Sequence, residues 1–143
     1  MRNWFSNFIP FDNPMLYGDI IFRTPEHFFQ AMKTEDLSLR KKIAAFPTPG
    51  AVKRFARTIQ LRPDWEDIKF TVMKYALRRK FALRTTWRER LLDSGNSEIV
   101  EWNTWHDNIW GDCTCPRCEH IVGQNNLGRI LMKLRHEFKE VSP

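Results

Sequence analysis

The chain has 143 residues, the length of one ordinary domain, and 42% of them are hydrophobic, so we predict a single folded domain over residues 1–143. The charged fraction of 28% excludes intrinsic disorder, and no apolar run is long enough for a membrane span. The net charge of +6 favours polyanionic partners: nucleic acid, nucleotides or an acidic membrane surface.

The first elements in chain order are a loop and a short strand. Polar residues interrupt positions 1–8 too early for the apolar region of a signal peptide, so we expect a cytoplasmic protein. Residues 8–14 contain two prolines and are predicted as a loop. Residues 16–22 are predicted as a short strand around Gly18.

Two Thr-Pro pairs mark the starts of helices. Thr24 as cap, Pro25 at the first helical position and Glu26 in the first turn predict a helix that runs to about Lys33. A second helix is predicted over residues 37–46. The pair at 48–49 repeats the start signal for a third helix.

The strongest helical pattern begins at Asp64, which is predicted to cap it. Within and beyond this helix, residues 69–90 hold eight Lys and Arg against Glu89 alone, a net charge of +7, whereas the rest of the chain carries −1. This stretch therefore accounts for the whole basic excess and indicates a phosphate-binding surface. The apolar stripe of the helix comprises Trp65, Ile68, Val72, Met73, Ala76 and Leu77.

The C-terminal third is predicted to contain two helices and a strand. Thr86 is expected to cap a helix that ends near Gly95, and residues 98–102 alternate as a strand does. We therefore predict a helix-dominated α+β fold with a few short strands. The last helix carries Leu127, Ile130, Leu131, Leu134 and Phe138.

Glu26 and Lys33 are the first candidates for chemistry. They are seven residues apart, about two helical turns, so both should project from one side of one helix beside Phe29. Burial lowers a lysine pKa and frees its amine as a nucleophile towards a carbonyl. The alternative is a capping acid and a surface lysine.

Three further segments are candidates for binding. Trp65 is either a core anchor or a base-stacking ring. Lys69 and Lys80 lie along or beside the apolar stripe, where either Lys69 extends along the edge of the stripe or one of the two lysines meets a phosphate. Residues 102–112 crowd three tryptophans, a histidine and two acids into one loop, which suits a site for a planar ligand. Asn125 or Asn126 is predicted to cap the last helix, where free backbone N–H groups would form an anion site.

Three cysteines and a histidine offer the tetrahedral ligand set of zinc: Cys113, Cys115, Cys118 and His120. All four fall within eight residues, however, and no second C-x-x-C pair exists. Structural zinc sites usually recruit pairs from separate segments, so free cytosolic thiols are the favoured interpretation, and no metal or cofactor is expected.

Taken together, the order and spacing of these motifs resemble the NADAR family, also called YbiA-like, over nearly the whole chain. The cysteine-rich segment departs from the family pattern, which has a short loop there. The motifs that carry the resemblance are residues 6–8, 24–33, 56–57, 65–73, 80–81, 107–111, 123–128 and 131–132, with Gly95, Glu101 and Arg135.

The resemblance implies an N-glycosidase that acts on a phosphate-bearing ribosylated base, with ADP-ribosylated guanine in DNA or a small-molecule intermediate of riboflavin biosynthesis as substrate. It also implies site residues. These are Glu26, Lys33 and Asp107 for catalysis, and Trp65, Lys80, Trp110, Gly111 and Asn125 for substrate binding. The alternative from another class is a non-catalytic nucleic-acid-binding module with a zinc-stabilised Cys loop.

Overall fold

The computed structural model describes residues 5–141, so positions 1–4 of the segment examined for a signal peptide lie outside it. None of the described helices is both long and apolar enough to cross a bilayer. The chain divides into two compact units, which we call the N-terminal unit, Asn7–Thr85, and the C-terminal unit, Thr86 onwards together with the residues before Asn7.

The N-terminal unit opens with a hairpin rather than the single strand predicted over residues 16–22. Strands β1 (Met15–Tyr17) and β2 (Ile20–Phe22) pair antiparallel, with Met15 opposite Phe22. Gly18 lies between them at φ +61°, a backbone conformation that glycine adopts without steric cost. The glycine therefore turns the chain where the prediction continued the strand.

Three short helices follow, α1 (Pro25–Ala31), α2 (Leu37–Ala45) and α3 (Pro49–Ala56), as predicted. Thr24 caps α1, because its hydroxyl accepts a hydrogen bond from the His27 N–H at 3.1 Å. Every residue of α1 is buried, and the helix contacts α2, α3 and the next helix. This burial places the polar side chains of α1 inside the unit.

Helix α4 (Trp65–Lys80) confirms the strongest predicted pattern, but Asp64 does not cap it with its side chain. The Asp64 carboxylate instead accepts hydrogen bonds from the Arg62 guanidinium at 2.6 and 3.1 Å. An ion pair with two hydrogen bonds to a guanidinium is stronger than a single cap bond to a backbone N–H, which accounts for the difference. The buried residues of α4 are Trp65, Met73, Ala76, Leu77 and Lys80.

The C-terminal unit contains α5 (Thr86–Asp93), strands β3 (Trp102–Asn103) and β4 (Asp112–Cys113), a 3-10 turn (Pro116–Cys118) and α6 (Asn126–Val141). The two strands pair in parallel. Helix α6 buries one face as predicted, although Ile130 is only half-buried. Helices α5 and α6 pack on each other, with the buried Arg88 guanidinium 3.8 Å from the Phe138 ring centroid.

The prediction of a strand over residues 98–102 is wrong except at Trp102. Residues 98–101 join no ladder, because an amide side chain takes the place of a neighbouring strand. Asn125 Nδ2 donates to the Ile99 carbonyl at 2.9 Å, and Asn125 Oδ1 accepts from the Glu101 N–H at 2.9 Å. The alternating pattern therefore marked an extended segment but not a sheet.

The basic stretch of residues 69–90 does not form one continuous surface. Lys80 is fully buried and Arg88 is buried, while Lys69 pairs with Glu66 at 2.6 Å. The stretch also runs from the N-terminal unit into the C-terminal unit. Its exposed members are Arg78, Arg79, Arg84 and Arg90.

Candidate active site

Lys33 lies beside two aromatic rings in the N-terminal unit. Its Nζ is 5.8 Å from the centroid of Phe29 and 5.9 Å from that of Trp65, and the two rings meet edge-to-face at 5.1 Å. The backbone around Lys33 is fixed at both ends, because its N–H donates to the Gln30 carbonyl and its carbonyl accepts from the Arg62 N–H at 2.8 Å. A half-buried amine is thus held against an apolar wall.

The first helix was predicted to run to about Lys33, but in the structure it ends at Ala31. Helix α1 stops at Ala31 with Met32 as its C-cap, so Glu26 and Lys33 do not lie on one helix face as expected. The two charges nevertheless interact, since the Glu26 carboxylate raises the pKa of Lys33. The structure therefore brings together the pair that the sequence predicted, through the turn that follows α1.

The electrostatics of Lys33 favour its neutral form. Burial lowers the pKa of Lys33 below its ordinary value and outweighs the opposing effect of Glu26. The cations Lys53 and Arg57 lower that pKa further by repulsion. A lysine in such surroundings holds more free amine near neutral pH than an exposed lysine, as nucleophilic catalysis requires.

Two buried amides beside Glu26 have oxygens without a partner among the described residues. Gln30 Nε2 donates to Glu26 Oε1 at 2.7 Å, which leaves Gln30 Oε1 buried and unsatisfied. The backbone carbonyl of Asn7 accepts from the Glu26 N–H, but the side-chain Oδ1 of Asn7 is likewise buried and unsatisfied. Buried acceptors of this kind are costly in a folded protein and are typical of sites that receive donors from a ligand.

Trp65 and Lys80 are more buried than a surface site would require. Trp65 is 4% exposed and packs on Phe29, which agrees with the core-anchor interpretation while making its ring part of the wall beside Lys33. Lys80, at the last position of α4, is 0% exposed, with its Nζ 5.2 Å from the Phe81 ring centroid. Lys80 therefore does not extend into solvent at the edge of a stripe.

In the C-terminal unit, Asp107 organises the loop that carries Trp110. Its Oδ1 accepts hydrogen bonds from the backbone N–H groups of Ile109 at 3.1 Å and Trp110 at 2.9 Å. Asn103 also holds this loop, because its Nδ2 donates to the Asp107 backbone carbonyl and its Oδ1 accepts from the Asp107 N–H. The carboxylate thus shapes the loop and presents the half-buried Trp110.

The prediction of an anion site at the start of α6 is wrong, because the backbone N–H groups expected to bind the anion already donate to other groups. The N–H groups of residues 123–127 are all taken: Gly123 donates to the Asp112 carboxylate, and the next four donate to the carbonyls of residues 108–111. Asn125, at φ +52°, uses its side chain on the backbone of residues 99 and 101. These contacts join the Trp110 loop to the helix start.

Gly111 is required at the centre of this network. A Cβ at Gly111 would collide with the Glu101 carbonyl oxygen and would lie 2.9 Å from Asn103 Nδ2. Its own carbonyl accepts the Asn125 N–H at 3.1 Å. The structure therefore brings Asp107, Trp110, Gly111 and Asn125 together within the C-terminal unit, as it brings Glu26, Lys33 and Trp65 together within the other.

Sequence reasoning missed the amides that support these clusters. No role is predicted from the sequence for Gln30, Asn7 or Asn103. Their signal in the sequence is weak, because an amide side chain is ordinarily exposed. Burial is what marks them, at 5%, 7% and 3% exposure respectively.

Comparison with known proteins agrees with this architecture. N-glycosidase YbiA of Escherichia coli is 36% identical over 136 residues, 94% of this chain and 80% of that protein. An N-glycosidase of Nostoc punctiforme is 34% identical over 142 residues, 96% of this chain and 86% of that protein. A riboflavin biosynthesis protein of Vibrio vulnificus is 36% identical over 120 residues, 82% of this chain, which spans only 31% of that protein.

The fold is shared with a solved relative. The NMR structure of the E. coli protein YbiA matches with a TM-score of 0.78 and 36% identity, covering 95% of this chain and 77% of that one. The helix-dominated α+β architecture is thereby confirmed. A protein-family model described as "NADAR domain" matches residues 1–139 of this chain. The chain therefore belongs to the NADAR family.

Proposed function

We propose that this chain is an N-glycosidase, a hydrolase that cleaves the bond between a ribose and a base, and that its substrate carries phosphate. Relatives named N-glycosidase that align over most of their length support the reaction class. The observation in the molecule that carries the proposal is Lys33, an amine with a lowered pKa held against two aromatic rings within the field of Glu26.

Lys33 acts as the nucleophile in the proposed mechanism. The lone pair of Nζ forms a bond to C1′ of the ribose while the bond from C1′ to the base breaks; the base takes that electron pair, and Nζ loses a proton that neutralises the base. The bond from C1′ to the ring oxygen then breaks as the Nζ lone pair forms the second bond to C1′, and the ring oxygen takes a proton from solvent, which gives the open-chain protonated imine. Water adds to C1′, the carbon–nitrogen bond breaks, and the free amine is regenerated.

A carboxylate assists because positive charge develops at the anomeric carbon. We assign this role to Glu26, whose charge acts on Lys33 and whose orientation is fixed by Gln30. Asp107 is the second candidate, although two backbone N–H groups already occupy its Oδ1. Glu26→Gln should therefore lower kcat strongly, whereas Asp107→Asn should act mainly through the loop and raise KM.

Binding is assigned to the remaining site residues. The unsatisfied oxygens of Gln30 and Asn7 suit ribose hydroxyls or an exocyclic amino group, which are donors. In the N-terminal unit, Trp65 supplies aromatic surface and Lys80 a buried positive charge whose field favours phosphate. In the C-terminal unit, Trp110 supplies a second aromatic surface. Gly111 and Asn125 position the Trp110 loop.

Borohydride reduction in the presence of substrate tests the mechanism, because it traps the imine as a stable adduct on the attacking lysine. The wild-type chain should gain the mass of the reduced sugar phosphate, and Lys33→Ala should gain none. Lys42→Ala is the matched control, since Lys42 also lies over a ring, with its Nζ 4.8 Å from the Phe55 centroid. An adduct that persists in Lys33→Ala would refute the assignment.

The substrate is tested with two compounds side by side. One is a phosphorylated ribosylaminopyrimidine intermediate of riboflavin biosynthesis, and the other is DNA that carries ADP-ribosylated guanine. Release of base from the first alone assigns a small-molecule substrate, and release from the second assigns reversal of ADP-ribosylation. Release from neither, with salt-dependent binding to unmodified nucleic acid, would favour the binding module instead.

A further inference from the structure

A cluster of three thiols and an imidazole lies in the C-terminal unit. The ligand atoms of His106, Cys113, Cys115 and Cys118 all lie within 4.8 Å of one another. His106 Nδ1 is 3.2 Å from Cys115 Sγ and 3.5 Å from Cys118 Sγ. Three sulfurs and one imidazole nitrogen at such separations form the ligand set of a tetrahedral structural zinc site.

We propose that these four residues bind a structural zinc ion. The ligands come from three short segments: the loop before Asp107, strand β4, and the 3-10 turn with the residue before it. This separation removes the objection that four ligands within eight residues cannot surround one ion. The sequence-based ligand set is corrected at one position, because His120 is exposed and lies outside the cluster, and His106 takes its place.

The sulfurs already receive the hydrogen bonds that zinc thiolates receive in proteins. The backbone N–H groups of His106 and Cys115 donate to Cys113 Sγ at 3.3 and 3.5 Å. Asn108 Nδ2 donates to Cys118 Sγ at 3.3 Å, and Asn108 Oδ1 accepts from the Cys113 N–H at 2.9 Å. Donors aimed at sulfur stabilise the thiolate form and orient it, as outer-shell groups of metal sites do.

Short strands and hydrogen bonds hold the structure around the cluster. Strands β3 and β4 have two residues each, and residues 119–122 are exposed. His106 adopts φ +68°, an uncommon conformation for a residue other than glycine. Metal coordination supplies folding free energy to small segments that lack an apolar core.

The ion would also fix the Trp110 loop of the C-terminal unit. His106 and Cys113 flank residues 107–112, which include Asp107, Trp110 and Gly111. Joining both ends of this segment to one ion restricts it to a narrow set of conformations. The metal is therefore structural, and takes no part in the proposed Lys33 chemistry.

Metal content of the purified full chain tests the proposal. Wild-type protein dialysed against metal-free buffer should retain one zinc per chain. His106→Ala and Cys115→Ser should lose most of it, and Cys115 is chosen because it is only half-buried. The matched control, His120→Ala, removes the other nearby imidazole and should retain the full zinc content.

Two measurements on wild-type protein keep the test decisive if a variant fails to fold. Cobalt in place of zinc should give a thiolate-to-metal charge-transfer band that saturates at one ion per chain. The chain has only three cysteines, so a thiol reagent reports on this site alone: zinc should slow all three reactions, and chelation should restore them. Absence of the cobalt band with unchanged thiol rates, or zinc content unaffected by both His106→Ala and Cys115→Ser, would overturn the proposal.

Discussion

Replacing Asn125 by alanine should be among the most damaging single changes in the C-terminal unit. The substitution removes the donor to the Ile99 carbonyl and the acceptor of the Glu101 N–H, both at 2.9 Å. Leaving these two backbone groups without a partner, one buried and one part-buried, costs about 1–3 kcal/mol each. The backbone at φ +52° adds about 1 kcal/mol for alanine, because asparagine tolerates that region better. The expected loss is therefore about 3–7 kcal/mol, a large part of the stability of a small protein.

Urea unfolding followed by tryptophan fluorescence measures this loss. Asn125→Asp is a second variant: it keeps the acceptor for Glu101 but places a carboxylate oxygen against the buried Ile99 carbonyl, so it should lose at least as much as Asn125→Ala. Asn126→Ala is the matched control: it removes a surface bond to the Ile109 carbonyl at 2.7 Å and should cost about 0.5–1.5 kcal/mol. If Asn125→Ala costs no more than Asn126→Ala, the side chain does not replace a strand and the reasoning is wrong.

Three further predictions concern titration and packing. The pH at which Lys33 becomes reactive towards an amine-modifying reagent should fall in Glu26→Gln, because that change removes the charge that raises the Lys33 pKa. The same pH should rise in Arg57→Ala, which removes a charge that lowers the Lys33 pKa. Shifts of both variants in the same direction would contradict the electrostatic assignment. Burial lowers the pKa of His27 below its ordinary value of 6.5, so below that pH the unfolded chain binds a proton that the folded chain excludes. The free energy of unfolding should therefore fall as the pH drops below 6.5. If the urea midpoint of His27→Gln has the same pH dependence as that of the wild type, the prediction is wrong. Gly111→Ala should destabilise the C-terminal unit by about 1–3 kcal/mol, as measured by urea unfolding, because its Cβ would collide with the Glu101 carbonyl. The half-buried Gly50, where a Cβ meets only a side-chain tip at 3.6 Å, should tolerate alanine.

The helices could be predicted from the sequence because their signals are local. The Thr-Pro pairs at α1 and α3 fix the chain within one turn, and the stripe of α4 follows from its period. The errors arose where another group takes the predicted partner. The Asp64 carboxylate binds Arg62, two residues before it, and the backbone of residues 99 and 101 binds Asn125, about 25 positions away in the chain.

The candidate site divides along the same line. Glu26 and Lys33 could be found from spacing and residue type, although the helix ends between them. The N–H groups before α6 were predicted to be free because sequence spacing does not show which carbonyls lie opposite them. His106 was not considered as a zinc ligand for the same reason: its partners follow it by 7 to 12 residues, and only the folded loop brings it to them.

The cysteine-rich segment begins and ends at nearly the same point in space. The Gly123 N–H donates to the Asp112 carboxylate at 3.1 Å, and a Cβ at Gly123 would meet the Gly111 carbonyl and the Asp112 backbone. A segment whose ends touch can be lengthened, shortened or exchanged at little cost in chain entropy. The segment between Asp112 and Gly123 can therefore change in length without moving the two ends that connect β4 to the start of α6.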